Sequence, residues 1–230
     1  MIDLISRTYL ILFLFFTPLI AFNQVNSTYT LKILGVVQDG GLPHLGSDRI
    51  CCEDFEQNRY VTSIMLINNE TNESYLFDAS PDINKQLNFM GKGIKKNLKG
   101  IFLTHAHIGH YTGLMYFGRE ALNSKLMNVY AMPRMKKFLE QNGPWSQLVS
   151  LQNISITELS NNSMIEIGSS VVIQPIEVPH RAEFSETVGY KIYGPNKTLL
   201  FIPDIDKWYL WEKSIIDAVS YTHLRAHETG

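Results

Sequence analysis

The chain is short of several things, and each shortage removes a class of protein. It has two cysteines in 230 residues. They are adjacent, Cys51 and Cys52, so they cannot form a disulfide framework, and a trans peptide holds their side chains apart. Lysine and arginine number 20 against 22 aspartates and glutamates, so the basic excess of a nucleic-acid binder is missing. The one long apolar run, residues 9–22, falls short of the roughly 20 residues that span a bilayer. No repeat of 20–50 residues and no low-complexity tract interrupts the sequence. What remains is 45% hydrophobic and 18% charged, a balance that suits one globular domain with a sizeable core rather than disorder.

The two ends read differently from the middle. The apolar run follows Arg7 and predicts a secretory signal peptide over residues 1–26, with an uncleaved membrane anchor as the alternative. No cysteine closes the run, so a lipoprotein site is unsupported. The domain is expected to be exported, periplasmic or secreted, with no stable membrane insertion once the signal is removed. Residues 220–230 read as translated adapter sequence and are set aside. That leaves residues 27–219 as a domain expected to be C-terminally truncated. Asn-x-Ser/Thr triplets at Asn26, Asn69, Asn72, Asn153, Asn161 and Asn196 matter only in a glycosylating host.

Between the ends, alternation and turn residues predict strands at 29–37, 61–68, 74–79, 100–104, 128–131, 164–167, 171–179, 187–193 and 198–202. Helices are predicted at 80–90, 112–122, 133–141 and 206–218. Strands in bursts with helices between some of them give an α+β class, sheets covered by helices rather than a doubly wound sheet.

Seven histidines are the richest chemical signal. His223 and His227 fall in the suspect tail, and His44 sits in a Gly/Pro loop. His105, His107 and His110 follow an apolar strand and open a helix. At a strand end, i and i+2 share a face, so His105 and His107 can meet one ion, and the turn can aim His110 at a neighbouring position. His180 closes a later strand. Three imidazoles with an open position suit zinc or iron and lower the pKa of bound water toward about 7. Asp204 follows another strand and could bridge a second ion. Asp78 ends one too, placed to orient a ligand from behind.

This order, Asp78, His-x-His-x-x-His, His180 and Asp204, resembles the metallo-β-lactamase superfamily. Within it, residues 34–43, 104–114 and 201–208 are similar to the branch of pyrroloquinoline quinone biosynthesis protein B. The resemblance runs from about Leu31 to Ala218 and implies an αββα sandwich with the metal site at one edge of two sheets. It implies His105, His107, His110, His180 and Asp204 as metal ligands, Asp204 and His110 as the catalytic pair, and zinc as the cofactor, with iron or manganese as alternatives.

Three departures shape the expectation. Gly109 stands where the superfamily pattern has an aspartate, and glycine can neither ligate nor handle protons. The last histidine ligand should lie beyond the end of the chain. The second metal position would then keep only His110 and Asp204, giving one firm ion and a weak or absent second. Ser47 stands where a cysteine of a structural zinc would be sought, leaving Cys51 and Cys52 as either a partial zinc site or free thiols.

Three functions follow. The first is a metal-dependent hydrolase using metal-bound water on a small-molecule substrate. The second is a non-haem metal oxygenase of the quinone-cofactor type. The third is a non-catalytic binding protein on the same fold. Tyr111, Trp145 and Phe184 are candidate pocket walls, and residues 143–145 are a candidate loop over the site.

Overall fold

A computed structural model describes residues 28–48, 59–181 and 183–211. The expected signal segment, Cys51 and Cys52, most of the predicted helix 206–218 and the tail lie outside them. Among the described residues no helix is long and apolar enough to cross a membrane.

Among the described residues, ten strands form two sheets. The first contains β1 (Tyr29–Gly35), β2 (Ser63–Asn68), β3 (Ser74–Phe77), β4 (Leu98–Phe102), β5 (Met127–Ala131) and β6 (Ile154–Glu158), in that spatial order. Its first half is antiparallel, and β3, β4, β5 and β6 run parallel. The second is an antiparallel sheet of β7 (Ile165–Ile167), β8 (Val171–Glu177), β9 (Val188–Tyr193) and β10 (Thr198–Phe201), ordered β10-β9-β8-β7.

Period-two alternation sends each strand's side chains to two different cores. On β2, Ile64 and Leu66 face the second sheet, and Met65 faces the helices. On β4, Phe102 joins the inter-sheet core and Ile101 the helical one. The inter-sheet core is aromatic at its centre. Phe102 stacks on Tyr130 at 4.1 Å and on Phe77 at 5.1 Å, and Tyr190 meets both phenylalanines edge-on at 5.5 Å. The Tyr190 hydroxyl donates to the Leu103 carbonyl, so the second sheet grips the first just where β4 ends.

Parallel strands need crossovers, and helices supply them on one face. α1 (Ile83–Gln86), a 3₁₀ turn at Asn88–Gly93 and α2 (Ile94–Asn97) join β3 to β4. α3 (Ile108–Tyr111) and a 3₁₀ turn at Thr112–Phe117 lead from β4 toward β5. α4 (Pro133–Gln141) and α5 (Trp145–Ser150) lead to β6. Ile83, Leu87, Leu114, Phe117, Met135, Leu139 and Leu148 bury this layer against the sheet. On the far side, Ile176, Leu200, Ile202, Ile205 and Trp211 form a third cluster over the second sheet. The layered sheet pair of the αββα sandwich is thus in place.

Several sequence expectations shift. The strand at 100–104 ends at Phe102, so His105 lies on a loop. The helix predicted from 112 begins at Ile108, and its second part is 3₁₀. The helix at 80–90 breaks into a short α-helical turn, Ile83–Gln86, and a 3₁₀ segment, Asn88–Gly93, that is itself kinked at Gly91 with φ 49°. α5 and β6 were not foreseen. Ile154 and Ile156 alternate along β6, but it is a short, half-exposed edge strand.

Candidate metal centre

The centre lies at the C-terminal ends of the parallel strands, where loops from both sheets meet. Asp78 comes directly after β3. Its main-chain N–H donates to the Phe102 carbonyl at 2.9 Å, and its φ of 64° is one that aspartate tolerates. The carboxylate is fully buried and accepts three hydrogen bonds. The Thr104 N–H gives one at 2.8 Å, the Thr104 hydroxyl one at 2.9 Å and His110 Nδ1 one at 2.7 Å.

His110 arrives on α3, which is fastened to the loop after β3. The Ala79 N–H donates to the His110 carbonyl and the Gly113 N–H to the Ala79 carbonyl, both at 2.8 Å. A Cβ at Gly113 would collide with the Ala79 and Ser80 carbonyls, so glycine is required for this close approach. With Nδ1 given to Asp78, His110 turns Nε2 inward.

The second sheet contributes the rest. The Val188 N–H donates to the Thr104 carbonyl at 3.1 Å, and the Ser185 hydroxyl accepts from the Ala106 N–H at 2.8 Å. This ties the histidine loop to the segment before β9. His180 follows β8, and Asp204 follows β10.

The structure brings His105, His107, His180 and Asp204 together, with one ligand atom from each all within 4.8 Å of one another. His107 Nδ1 lies 2.9 Å from His105 Nε2 and 3.2 Å from His180 Nε2. Asp204 Oδ2 is 3.3 Å from His105 Nε2, 3.2 Å from His110 Nε2 and 3.7 Å from His180 Nε2. Converging lone pairs of this kind repel unless a cation or shared protons lie between them.

The outward nitrogens are all occupied. The Thr104 hydroxyl donates to Asp78, so it accepts from His105 Nδ1 at 3.0 Å. Asp206 Oδ1 holds His180 Nδ1 at 2.7 Å. His107 turns Nε2 to Glu183 at 3.0 Å, with Arg181 Nε at 3.3 Å. Each ring is therefore fixed from behind by a neighbouring group, as ligating histidines are. The set fits a divalent cation: three imidazoles aimed at one point beside an ionised carboxylate.

Electrostatics agree. Burial, followed by the charge of His110, pushes the His105 pKa down to about 3, so it is a neutral lone-pair donor. Burial would also lower His110, but the Asp78 charge and the bonds to Asp204 and Asp39 outweigh it and hold its pKa well above the ordinary histidine value. Burial would raise Asp204, and its hydrogen bonds to His105 and His110 outweigh that, leaving it far down.

Four participants carried no role in the sequence reading. Asp206, Glu183 and Arg181 sit beside expected ligands, and nothing but proximity in sequence could have marked them. Asp39 is different. It lies on the loop after β1, and its Oδ1 is 2.9 Å from His110 Nε2. The expectation that His110 and Asp204 stand alone at a second position is therefore corrected. Asp39, His110 and Asp204 form a second convergent group. Residues 143–145 turn α4 into α5, and Trp145 packs at 4.7 Å on Tyr111, in a ring cluster that continues through Phe138 to the exposed Phe184.

A family model described as the beta-lactamase superfamily domain matches residues 73–222. Zinc-bound PqqB from Methylobacterium extorquens is 20% identical with a TM-score of 0.64, over 78% of this chain and 66% of that one. A diphosphatase of the PhnP family is 24% identical with a TM-score of 0.55, over 71% of this chain and 61% of that one. Human tRNase Z, short form, is 16% identical with a TM-score of 0.50, over 76% and 68%. At these identities the likeness is one of fold, and the chain spans about two thirds or less of the length of the first two structures. No curated protein sequence matches it. With the family model covering well over half of its residues and the sheet pair, histidine loop and flanking helices arranged as described, the chain belongs to the metallo-β-lactamase superfamily.

Proposed function

We propose that the protein is an exported metal-dependent hydrolase acting on a small-molecule substrate. The observation that carries this reading is the convergence of His105, His107, His180 and Asp204 within 4.8 Å. These four residues would hold the ion, zinc by the nature of the donors. A divalent cation so held acts as a Lewis acid and brings the pKa of its water toward about 7. Thr104 and Asp206 keep the imidazoles of His105 and His180 pointed inward. Asp204, ionised and shared between His105 and His110, would meet the ion through Oδ2. His110 is kept in register by Asp78. His107 stands at the solvent edge with Glu183 and Arg181, where a substrate would enter.

The test is metal content and turnover of the purified protein. Zinc near one equivalent or more, with hydrolysis of generic esters or phosphodiesters that is lost in His107→Ala, is the expected result. Bound iron with oxygen consumption would instead favour the oxygenase reading, which rests on the resemblance of residues 34–43, 104–114 and 201–208 to the quinone-cofactor branch. Absence of tightly bound metal would overturn both and leave a binding protein.

A further inference from the structure

The carboxylate missing from position 109 is not missing from the site. Built on the Gly109 backbone, a Cβ would lie 2.5 Å from Asp39 Oδ1 and 2.8 Å from the Asp39 Cα. Real Cβ atoms do not approach other atoms this closely. Any side chain at position 109 therefore excludes the observed position of Asp39, and glycine is the residue that admits it. Asp39 arrives from a loop distant in sequence and places Oδ1 2.9 Å from His110 Nε2, in one group with Asp204.

The loop is built to hold this position. Before Asp39, the Val36 and Val37 N–H groups both donate to the Tyr60 carbonyl, at 2.9 and 3.1 Å, and the Thr62 N–H and hydroxyl both donate to the Val37 carbonyl at 2.9 Å. After it, the Gly40 N–H donates to the Gln38 side-chain oxygen and the Gly41 N–H to the Gln38 carbonyl, each at 2.9 Å. Gly41 takes a φ of 77°, which glycine adopts without strain. Leu42 bridges to Arg59. Asp39 is thus anchored on both flanks. Asp39 also lines a cavity of about 320 Å³ together with Tyr60, Arg59, Pro81 and Lys85.

We infer that Asp39 is the third ligand of a second metal position with His110 and Asp204, supplied by the N-terminal loop in place of a carboxylate at position 109, and that Gly109 exists to admit it. This rests on the reading of the site as a metal centre. It reverses the expectation of a weak or absent second ion.

Zinc titration by calorimetry, with stoichiometry checked by elemental analysis, tests it without recourse to activity. The native protein is expected to take two equivalents. Asp39→Ala should leave the first unchanged and weaken the second by at least about tenfold, the lower bound for losing a supporting residue. Gly109→Ala should weaken the second as well, by displacing Asp39. Asp39→Gly combined with Gly109→Asp should recover it, because the carboxylate then comes from the other side of the same space. Asp39→Asn is nearly isosteric, and circular dichroism on each variant separates loss of ligand from loss of fold. Identical titrations of native and Asp39→Ala protein, or a native protein that takes only one ion, would overturn the inference and leave the first position standing. A native protein that binds no zinc would overturn the metal-centre reading as well.

Discussion

Removing the Asp78 carboxylate should be among the most damaging single changes in the chain. Asp78 is 0% exposed and accepts from the Thr104 N–H, the Thr104 hydroxyl and His110 Nδ1. In Asp78→Ala all three donors lose their acceptor inside the protein. A stranded buried neutral donor costs about 1–3 kcal/mol, and a buried charge left without its partner about 3–5 kcal/mol. The backbone adds to this. At φ 64° alanine forfeits the local tolerance of aspartate, at roughly 1–2 kcal/mol. The terms share neighbours and do not add fully, but a loss of at least about 4 kcal/mol follows, a large part of an ordinary domain's stability of about 5–15 kcal/mol. At about 2–4 °C per kcal/mol the melting temperature should fall by roughly 10 °C or more. Asp78→Asn keeps the shape, one acceptor and the backbone tolerance. It should fold, yet bind zinc about 10–100-fold more weakly, because His110 loses its ionised support. Urea and thermal unfolding followed by circular dichroism, with a parallel zinc titration, measure both. An Asp78→Ala protein within 1 kcal/mol of the native one, on the order of a single surface change, would refute the reasoning.

Three further outcomes follow from the same geometry. Chelation of a zinc-loaded sample should lower the melting temperature, since an ion at 100 times its Kd contributes about 2.7 kcal/mol; an unchanged melt after verified metal removal would count against a structural ion. Gly113→Ala should destabilise the fold and weaken zinc binding together, because the Ala79 and Ser80 carbonyls leave no room for a methyl group and α3 must shift with His110; a stable variant with native affinity would contradict the tight seating of α3. The metal-free protein should be most stable near the ordinary histidine pKa of about 6.5. His105, held near 3 in the fold, refuses a proton that the unfolded chain accepts, so stability falls as pH drops below about 6.5. The lowered carboxyls of Asp39 and Asp204 steepen that acid decline below about 4. His110, held charged, contributes most below about 6.5 and loses its contribution as pH rises through its raised value. Unfolding free energies across pH 4–9 that rise monotonically would exclude the His110 part.

The sequence made the strands legible because β2, β4 and β5 alternate between two apolar cores, and α4 because Pro133 opens it and its apolar residues recur at helical spacing. The histidines were legible because a short motif places them next to one another. Their exact placement was not. His105 and His107 meet at 2.9 Å on an irregular loop rather than by strand geometry, and that loop is shaped by Asp78, Ser185 and the β9 backbone. Asp39 was invisible for a different reason. Its partner His110 is 71 residues away, no periodicity links them, and the matching clue was the absence of a side chain at Gly109. A glycine in a ligand motif reads as a lost residue until the space it leaves is seen to be filled.

One carboxylate oxygen, Asp204 Oδ2, lies 3.3 Å from His105 and 3.2 Å from His110, and so belongs to both groups of donors. The two positions therefore cannot be treated as independent. An ion in the first would fix Asp204 for the second, while its charge would oppose the next arrival. By linkage, whatever the first does to the affinity of the second, the second does equally to the first. If both positions take an ion, metal loading would be a coupled equilibrium with one shared oxygen as its hinge, and a single change at Asp204 would alter both steps of the titration at once.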